Sequence, residues 1–540
     1  LHGFKSSSTN PITNNPITNA FMKSGKTIII SNRLPVKAEQ RQDTVVYHQS
    51  EGGLATGLSC VYNKDNCFWI GWPGISAEDA GLRERMEREL YKRRLLPVML
   101  NEQEIAGFYE GFSNGTLWPL FHCFPSYAGF NNEEWEMYVS VNRKFADKIL
   151  EVAGSGDTIW IHDYHLLLVP DMVRRELPDA SIGFFQHIPF PSYEIFRLLP
   201  WRNELLRGLL GADLIGFHTQ EDVEHFVEAI HNITEAAVVE TSILSNEILL
   251  DERTVTVNAF PMGIDYEKYR SLSVDPATEK VVARIHELVG ERKLMVSIDR
   301  LDYSKGILHR MNAYNRFLAE HPEFHEKVVF IQLIVPSRDT VSEYEKLREE
   351  INQMVGDINT RYGTWDWEPI RYFYRSFSPE ALSGLYVAAD VALVTPLRDG
   401  MNLVSKEFVA SKTTSSGVLI LSEMAGAAQE LKQALLINPH NEEEVAGAIY
   451  RALIMPVREQ VKRMKAMQRI VAHNNVHYWA ASFLRSLEEI KILQQIYHAH
   501  MYNEEVEAHV LQQFISRAEA PAILDLLQIP GDSPVQQPVA

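Results

Sequence analysis

Residues 157–177, DTIWIHDYHLLLVPDMVRREL, decide how this chain folds. A short run of β-branched and aromatic residues, TIWI, ends in a polar cluster, His162-Asp163-Tyr164-His165, and a helix carrying MVRREL follows Pro170. That is a buried strand, a polar loop and a helix. The plan recurs nearby. SIGFFQHIPFP (181–191) places Gln186-His187 and prolines after its strand, and ADLIGFHTQEDVEHF (212–226) runs strand, loop, helix. Upstream, TIIIS (27–31), followed by Asn32, Arg33 and Pro35, and CFWIGWPG (67–74) read as further buried strands. Strands that alternate with helices build a parallel sheet, and such sheets bind ligands beyond the carboxyl ends of their strands.

A second series starts near residue 256. VTVNAFPMGID (255–265) reads as a strand and a turn, LMVSIDRLDYSKGILHRMNAYNRFL (294–318) as strand, loop and helix, and KVVFIQLIVPS (327–337) as a strand. A charged helix, VSEYEKLREEINQMV (341–355), follows, and IRYFYRSF, ALSGLYVAADVALVTPLRDG, GVLILSEMAGAAQEL and LLINPH continue the βα rhythm. The expected fold is therefore α/β, with two parallel-sheet domains, which suits 540 residues. The expected division is a tail at 1–26, a first domain at 27–256, a second at 257–475, a helix at 476–500 that ends the second domain or crosses back to the first, and a helical extension with a frayed end at 501–540. The first 26 residues are rich in Ser, Thr, Asn and Pro and lack the apolar stretch of a signal peptide. EGGLATGLSCVY (51–62) reads as a glycine turn opening a helix, whose first N–H groups suit an anion near Gly53.

Net charge is −19, from 71 acids against 52 bases. Such a surface repels nucleic acid and anionic membranes, and no uncharged apolar run is long enough to span a bilayer. Three cysteines make neither a disulfide framework nor a metal set and fit a reducing, cytoplasmic setting. No HExxH, CxxC, GxSxG or GxGxxG occurs, which leaves little support for a zinc, serine-hydrolase or nicotinamide reading.

Against that acidic background, Arg33, Arg300, Lys305 and Arg338 all fall at predicted strand ends. Each alone reads most simply as a surface or interdomain ion pair. His187, Asp163, Tyr109 and Trp118 likewise have ordinary readings as a structural histidine, a helix cap and core aromatics. Four cations at strand-end loops, however, point to a phosphorylated ligand. TPLRDGMNLVSKE (395–407) adds a helix start near Asn402, with Asp399 in the loop above the sheet, Glu407 in the second turn, and backbone N–H groups at Met401, Asn402 and Leu403. Gly400 can take backbone angles that other residues resist.

The segments SNRLPV (31–36), EGGLATGL (51–58), FYEGFSNGTLWP (108–119), HDYHLLLVP (162–170), QHIPFP (186–191), DLIGFHT (213–219), FPMGID (260–265), DRLDYSKG (299–306), TPLRDGMNLVSKEFVA (395–410) and LSEMAGAAQEL (421–431) resemble, in order and spacing, the trehalose-6-phosphate synthases of glycosyltransferase family 20. The resemblance spans roughly residues 27 to 490. It implies a GT-B fold, two Rossmann-like domains facing across a cleft, and transfer of glucose from UDP-glucose to glucose 6-phosphate with retention, by front-face attack. It implies that Arg300 and Lys305 bind the donor diphosphate and stabilise the leaving group. Gly53 would cover the donor phosphates, and the backbone at Gly400, Met401, Asn402 and Leu403 would help hold the donor. Asp399 would grip hydroxyls of the transferred glucose, Glu407 the ribose, and Leu382 would border the base. His187 would contact the glucose near its reacting carbon.

On the acceptor side the resemblance implies Arg33, Tyr109, Trp118 and Arg338 around glucose 6-phosphate, with Trp72 close by and Asp163 on sugar hydroxyls. It implies no cofactor and no essential metal, because the cations bind the diphosphate, and a homo-oligomer, dimer or tetramer. After residue 500 no DxDxT-like acids occur, so a phosphatase activity is not expected from this stretch. The alternatives are another phosphorylated acceptor, such as glycerol 3-phosphate, and a catalytically silent sugar-phosphate sensor. The presence of Arg300, Lys305 and Glu407 argues against the sensor.

Overall fold

The computed structural model describes residues 25–41, 44–49, 57–58, 61–62, 66–76, 79–234, 238–241, 246–250, 253–336 and 342–502. The described residues to Arg485 form one compact unit, and those from Ser486 belong to a second. The first unit holds two large sheets. In one, seven parallel strands lie in the order Leu95–Pro97, Cys67–Trp72, Thr27–Arg33, Thr158–His162, Ser181–Phe185, Leu214–Phe217, Arg253–Ala259. Two antiparallel strands that the sequence reading did not anticipate, Asn246–Leu250 and Val238–Thr241, extend its edge. The other sheet is wholly parallel, in the order Ile370–Tyr374, Val328–Val335, Lys293–Arg300, Val391–Val394, Val418–Ser422, Leu435–Ile437. These are two Rossmann-like layers, as expected from the βα rhythm.

The central strands are buried along nearly their whole length, as strands covered by helices on both faces must be. Helix starts carry the residues that satisfy free N–H groups: Thr219, Asp265, Asp275, Ser378 and Asn441 each accept a backbone N–H from the first turn. Each sheet packs into its own apolar core, and Tyr303 is partly buried against both.

The passage between layers differs from the expected division at 256/257. That point lies inside Arg253–Ala259, which pairs with Leu214–Phe217 through Ala259↔Phe217 in the first sheet. VTVNA therefore closes the first layer, and the second opens with Lys293–Arg300. The apolar alternation of VTV marks a strand but carries no information about which sheet it joins. The last long helix begins at Val476, and its Trp479 and Phe483 pack on Trp160 and Phe185 of the first sheet.

Both sheets have a switch point. Thr27–Arg33 is flanked by Cys67–Trp72 and Thr158–His162, and Lys293–Arg300 by Val328–Val335 and Val391–Val394. Chain connections leave these points in opposite directions, opening a crevice at the strand ends. Arg33, Asp163, Arg300 and Thr395 all lie there.

Candidate functional site

In the second layer the helix Leu403–Ser411 begins where the sequence places it. Asn402 is the N-cap, with φ 71°, and its side chain accepts the Ser405 N–H at 3.1 Å. Its amide donates to Asp399 Oδ2 at 3.0 Å, and Lys305 Nζ meets the same oxygen at 2.6 Å. Burial pushes the Asp399 carboxyl up, but Lys305 and the hydrogen bonds outweigh it and hold the group below the usual carboxylate range. Among the described residues, the amides of Gly400, Met401, Asn402 and Leu403 find no acceptor, so they line the open end of the helix. At Gly400 a Cβ would lie 2.7 Å from the His187 carbonyl oxygen, which brings this loop against the first layer and requires glycine.

Glu407 stands in the second turn, as expected, but with partners the sequence reading missed. Tyr269 Oη donates to Oε1 and Tyr386 Oη to Oε2, both at 2.8 Å. Burial raises the Glu407 pKa, and the two hydroxyls oppose that rise. Tyr386 falls four residues after Leu382 on the helix Pro379–Ala388. That spacing puts both on one face and is the signal by which Tyr386 could have been found.

Another buried group passed unnoticed. The Arg310 guanidinium donates to Asp299 Oδ2 at 2.6 Å, Thr395 Oγ1 at 2.9 Å and the Lys305 carbonyl at 2.9 Å. It ties the ends of two strands to the loop carrying Lys305. Gly306, at φ 63°, lets that loop pass close to the Thr395 carbonyl, where a Cβ would come within 2.4 Å.

In the first layer, Arg33 ends its strand with its guanidinium carbon 3.9 Å from the Trp72 ring centroid and 5.0 Å from that of Tyr109. These are cation–π distances. Trp72 is anchored by its Nε1 to the Ile75 carbonyl at 2.9 Å, and His165 stacks on Tyr109 at 5.8 Å. Tyr109 rides on a π-helix, Ile105–Leu117, that runs directly into Trp118. Such wide-wound segments are rare and frequent at functional sites, and nothing in FYEGFSNGTLWP announces one. Asp163 sits at φ 77°, ψ 163°, a region costing roughly 1–3 kcal/mol for a residue other than glycine. Its Oδ1 accepts the His187 backbone N–H at 3.2 Å.

The two halves meet. Arg300, from the second sheet, holds its guanidinium carbon 5.6 Å from the Trp118 ring of the first. Tyr303 packs on Phe124 and Tyr127 at 5.0 and 4.9 Å, and Arg398 pairs with Glu221 at 3.3 Å. His122, a further group missed in the sequence, donates through Nδ1 to the Trp118 carbonyl at 2.8 Å and senses Asp302, Lys305 and Asp399. Burial lowers its pKa to about 4, so it is neutral.

At the floor, His187 Nε2 and His162 Nδ1 are 3.0 Å apart, and His218 Nε2 donates to the His187 carbonyl at 3.2 Å. Burial lowers the pKa of His162 and His218 to about 3 and that of His187 well below its ordinary value. Of the seventeen site residues inferred from sequence, Gly53 and Arg338 lie outside the described residues. Arg33, Trp72, Tyr109, Trp118, Asp163 and His187 gather at the strand ends of the first layer. Arg300, Lys305, Asp399, Gly400, Met401, Asn402, Leu403 and Glu407 gather at those of the second. Leu382 is partly buried on the helix that carries Tyr386. Among the described residues no group of three or more His, Cys, Asp or Glu is placed to hold a metal ion, and no helix is long and apolar enough to cross a membrane.

Residues 25–489 match the model of glycosyltransferase family 20. A bifunctional trehalose-6-phosphate synthase/phosphatase of Thermoproteus tenax is 43% identical over 511 residues, covering 92% of this chain and 68% of that protein. The UDP-forming α,α-trehalose-phosphate synthase of Pichia angusta is 40% identical over 485 residues, 87% of this chain and all of its own length. The crystal structure of a UDP-forming α,α-trehalose-phosphate synthase from Burkholderia xenovorans, in complex with glucose-6-phosphate, superposes with a TM-score of 0.77 at 34% identity, covering 86% of this chain and 100% of that one.

Proposed function

The chain belongs to glycosyltransferase family 20, and we propose that it transfers glucose from UDP-glucose to glucose 6-phosphate, making α,α-trehalose 6-phosphate. It is a nucleotide-sugar glycosyltransferase of GT-B architecture. The observation that carries the reading is the meeting of the two halves: Arg300, at the strand end that leads into the Lys305 loop of one layer, faces Trp118 on the other. Cations for a leaving diphosphate thus stand against the wall assigned to the acceptor.

In this reading Arg300 and Lys305 bind the diphosphate, with the open amides of 400–403 beside them, and Glu407 takes the ribose near Leu382. Asp399 and His187 hold the glucosyl group. Arg33, Tyr109 and Arg338 hold the acceptor phosphate, with Trp72, Trp118 and Asp163 around the sugar. The bond between the anomeric carbon and the diphosphate oxygen breaks as the acceptor hydroxyl oxygen bonds to the same face. The hydroxyl proton passes to the departing phosphate oxygen. Negative charge grows on the diphosphate, where the two cations are, so they stabilise the transition state more than the bound donor. Front-face retention is supported by how the nearby carboxylates are engaged. Asp399 is held by Lys305 and Asn402, Glu407 by two tyrosines, and Asp163 by an amide.

The diphosphate needs no metal when two cations face it, so activity should survive a chelator. The remaining expectations, a cytoplasmic setting and a dimer or tetramer, are carried with the reading. The test measures UDP released from UDP-glucose with glucose 6-phosphate or with glycerol 3-phosphate, together with the product mass. Release with glucose 6-phosphate and a disaccharide-phosphate mass is expected. Release with glycerol 3-phosphate alone would keep donor and cations but overturn the acceptor site.

A further inference from the structure

His187 is partly open, while His162 beneath it and His218 beside it are buried at 0% and 4% exposure. The His187 ring uses Nε2 for its contact with His162 Nδ1 at 3.0 Å, and its Nδ1 makes no hydrogen bond among the described residues. Nδ1 is therefore the nitrogen left for a substrate. Two neutral imidazoles sharing one hydrogen bond allow two arrangements. Either His162 donates and His187 Nδ1 carries a proton, or His187 donates through Nε2 and its Nδ1 is a bare acceptor.

The surroundings of His162 decide between them. Its other nitrogen, Nε2, is buried with no partner among the described residues. Its ring lies 4.6 Å from Trp160 and 6.4 Å from Trp479. The indole N–H groups of both tryptophans are buried and unpartnered among the described residues too. A proton on His162 Nε2 would put a third orphaned donor among two others with no acceptor. A bare Nε2 adds no further unmade donor to that cluster. His218 follows the same rule. Its Nε2 must donate to a carbonyl, which leaves a buried bare Nδ1.

We propose that His162 is a positioning residue that donates its Nδ1–H to His187 Nε2, so that His187 presents an Nδ1–H donor to a hydroxyl of the transferred glucosyl group. Trp160 and Trp479 set the tautomer of His162. Trp479 comes from the last helix, so that helix helps to prepare the site as well as to cover the first sheet. The substrate part of this inference rests on the glucosyl-transfer reading, and the tautomer part does not.

The experiment is nitrogen-15 NMR of protein labelled on the histidine rings, with His187→Asn used to assign the His187 signals, alongside UDP-glucose kinetics. Intact protein should show His187 protonated at Nδ1. His162→Phe should move His187 toward the Nε2–H form and lower kcat roughly 10- to 100-fold, the loss of one transition-state hydrogen bond, with KM for UDP-glucose nearly unchanged. His162→Asn, whose amide can reproduce the Nδ1–H, should keep both the tautomer and most of the activity. His187 protonated at Nε2 in the intact protein would overturn the proposal, as would equal loss of activity in both variants with the tautomer unmoved. Should His162→Phe fail to fold, the intact protein and His162→Asn still decide. An Nδ1–H His187 in a protein that transfers glucose to no phosphorylated acceptor would uphold the tautomer relay and overturn the reaction assigned to the site.

Discussion

Replacing Lys305 with Met should reverse the way stability depends on pH. Lys305 and Asp399 meet at 2.6 Å with side chains only 10% and 15% exposed. Removing one partner of a buried pair costs about 3–5 kcal/mol, because the other charge is left uncompensated. Here the Asn402 amide still donates to Asp399 and the cleft is not sealed, so we expect the lower end, about 3 kcal/mol at pH 7.5. In the intact protein Asp399 is held below its ordinary pKa. Its contribution is therefore present above the unfolded value, about 3.9, and is lost as pH falls through the folded one. Without Lys305, burial, the largest influence on this carboxyl, raises its pKa. The contribution is then present below the unfolded value and is lost as pH rises through the folded one. Thermal unfolding between pH 5 and 8 reads this directly. Lys305→Met should melt roughly 3 °C below the parent at pH 7.5, because a unit of this length unfolds with an entropy of about 1 kcal/mol/K, and recover much of the gap near pH 5. Adding Asp399→Asn should restore most of the loss at pH 7.5 and flatten the profile. Equal melting of parent and Lys305→Met at pH 7.5, or parallel pH profiles, would refute the claim that the pair is buried and mutually dependent.

Other perturbations separate the parts of the site. Arg300→Ala should lower kcat by at least ~100-fold, as losing an oxyanion-stabilising donor does, in a UDP-release assay with both substrates saturating. Tyr386→Phe removes one of the two hydroxyls on Glu407 and leaves a buried carboxylate oxygen short of a donor, at about 1–3 kcal/mol. Direct calorimetry should find UDP binding weakened by roughly tenfold, with glucose 6-phosphate binding unchanged. Asp163→Gly should relieve backbone strain worth roughly 1–3 kcal/mol, raising the melting temperature while transfer falls. A variant that melts lower would mean the strain is offset locally.

What the sequence displayed and what it hid follow from the range of each interaction. The βα units were legible because a buried parallel strand must be apolar over several consecutive residues and then give way to a polar loop, which is local information. The helix start at Asn402, with Asp399 before it and Glu407 in its second turn, was legible for the same reason. The partners of these groups were not. Tyr269 reaches Glu407 across 138 positions and Lys305 reaches Asp399 across 94, and no local pattern encodes such pairings. Arg310 was hidden by its setting, since an arginine in an amphipathic helix reads as a surface cation, yet here it is 1% exposed and holds the ends of two strands and the Lys305 loop. The sheet to which VTVNA belongs was obscure because an isolated strand carries its burial pattern but not its neighbour. The cleft chemistry therefore divides in two. The groups expected to touch substrate stand at strand ends, where local pattern exposes them. The groups that set their charge and orientation come from other helices and strands, and only the assembled fold brings them within hydrogen-bond reach. Substitutions in that second set, Arg310, Tyr269, Tyr386 and His162, should alter catalysis without removing any group assigned to substrate contact.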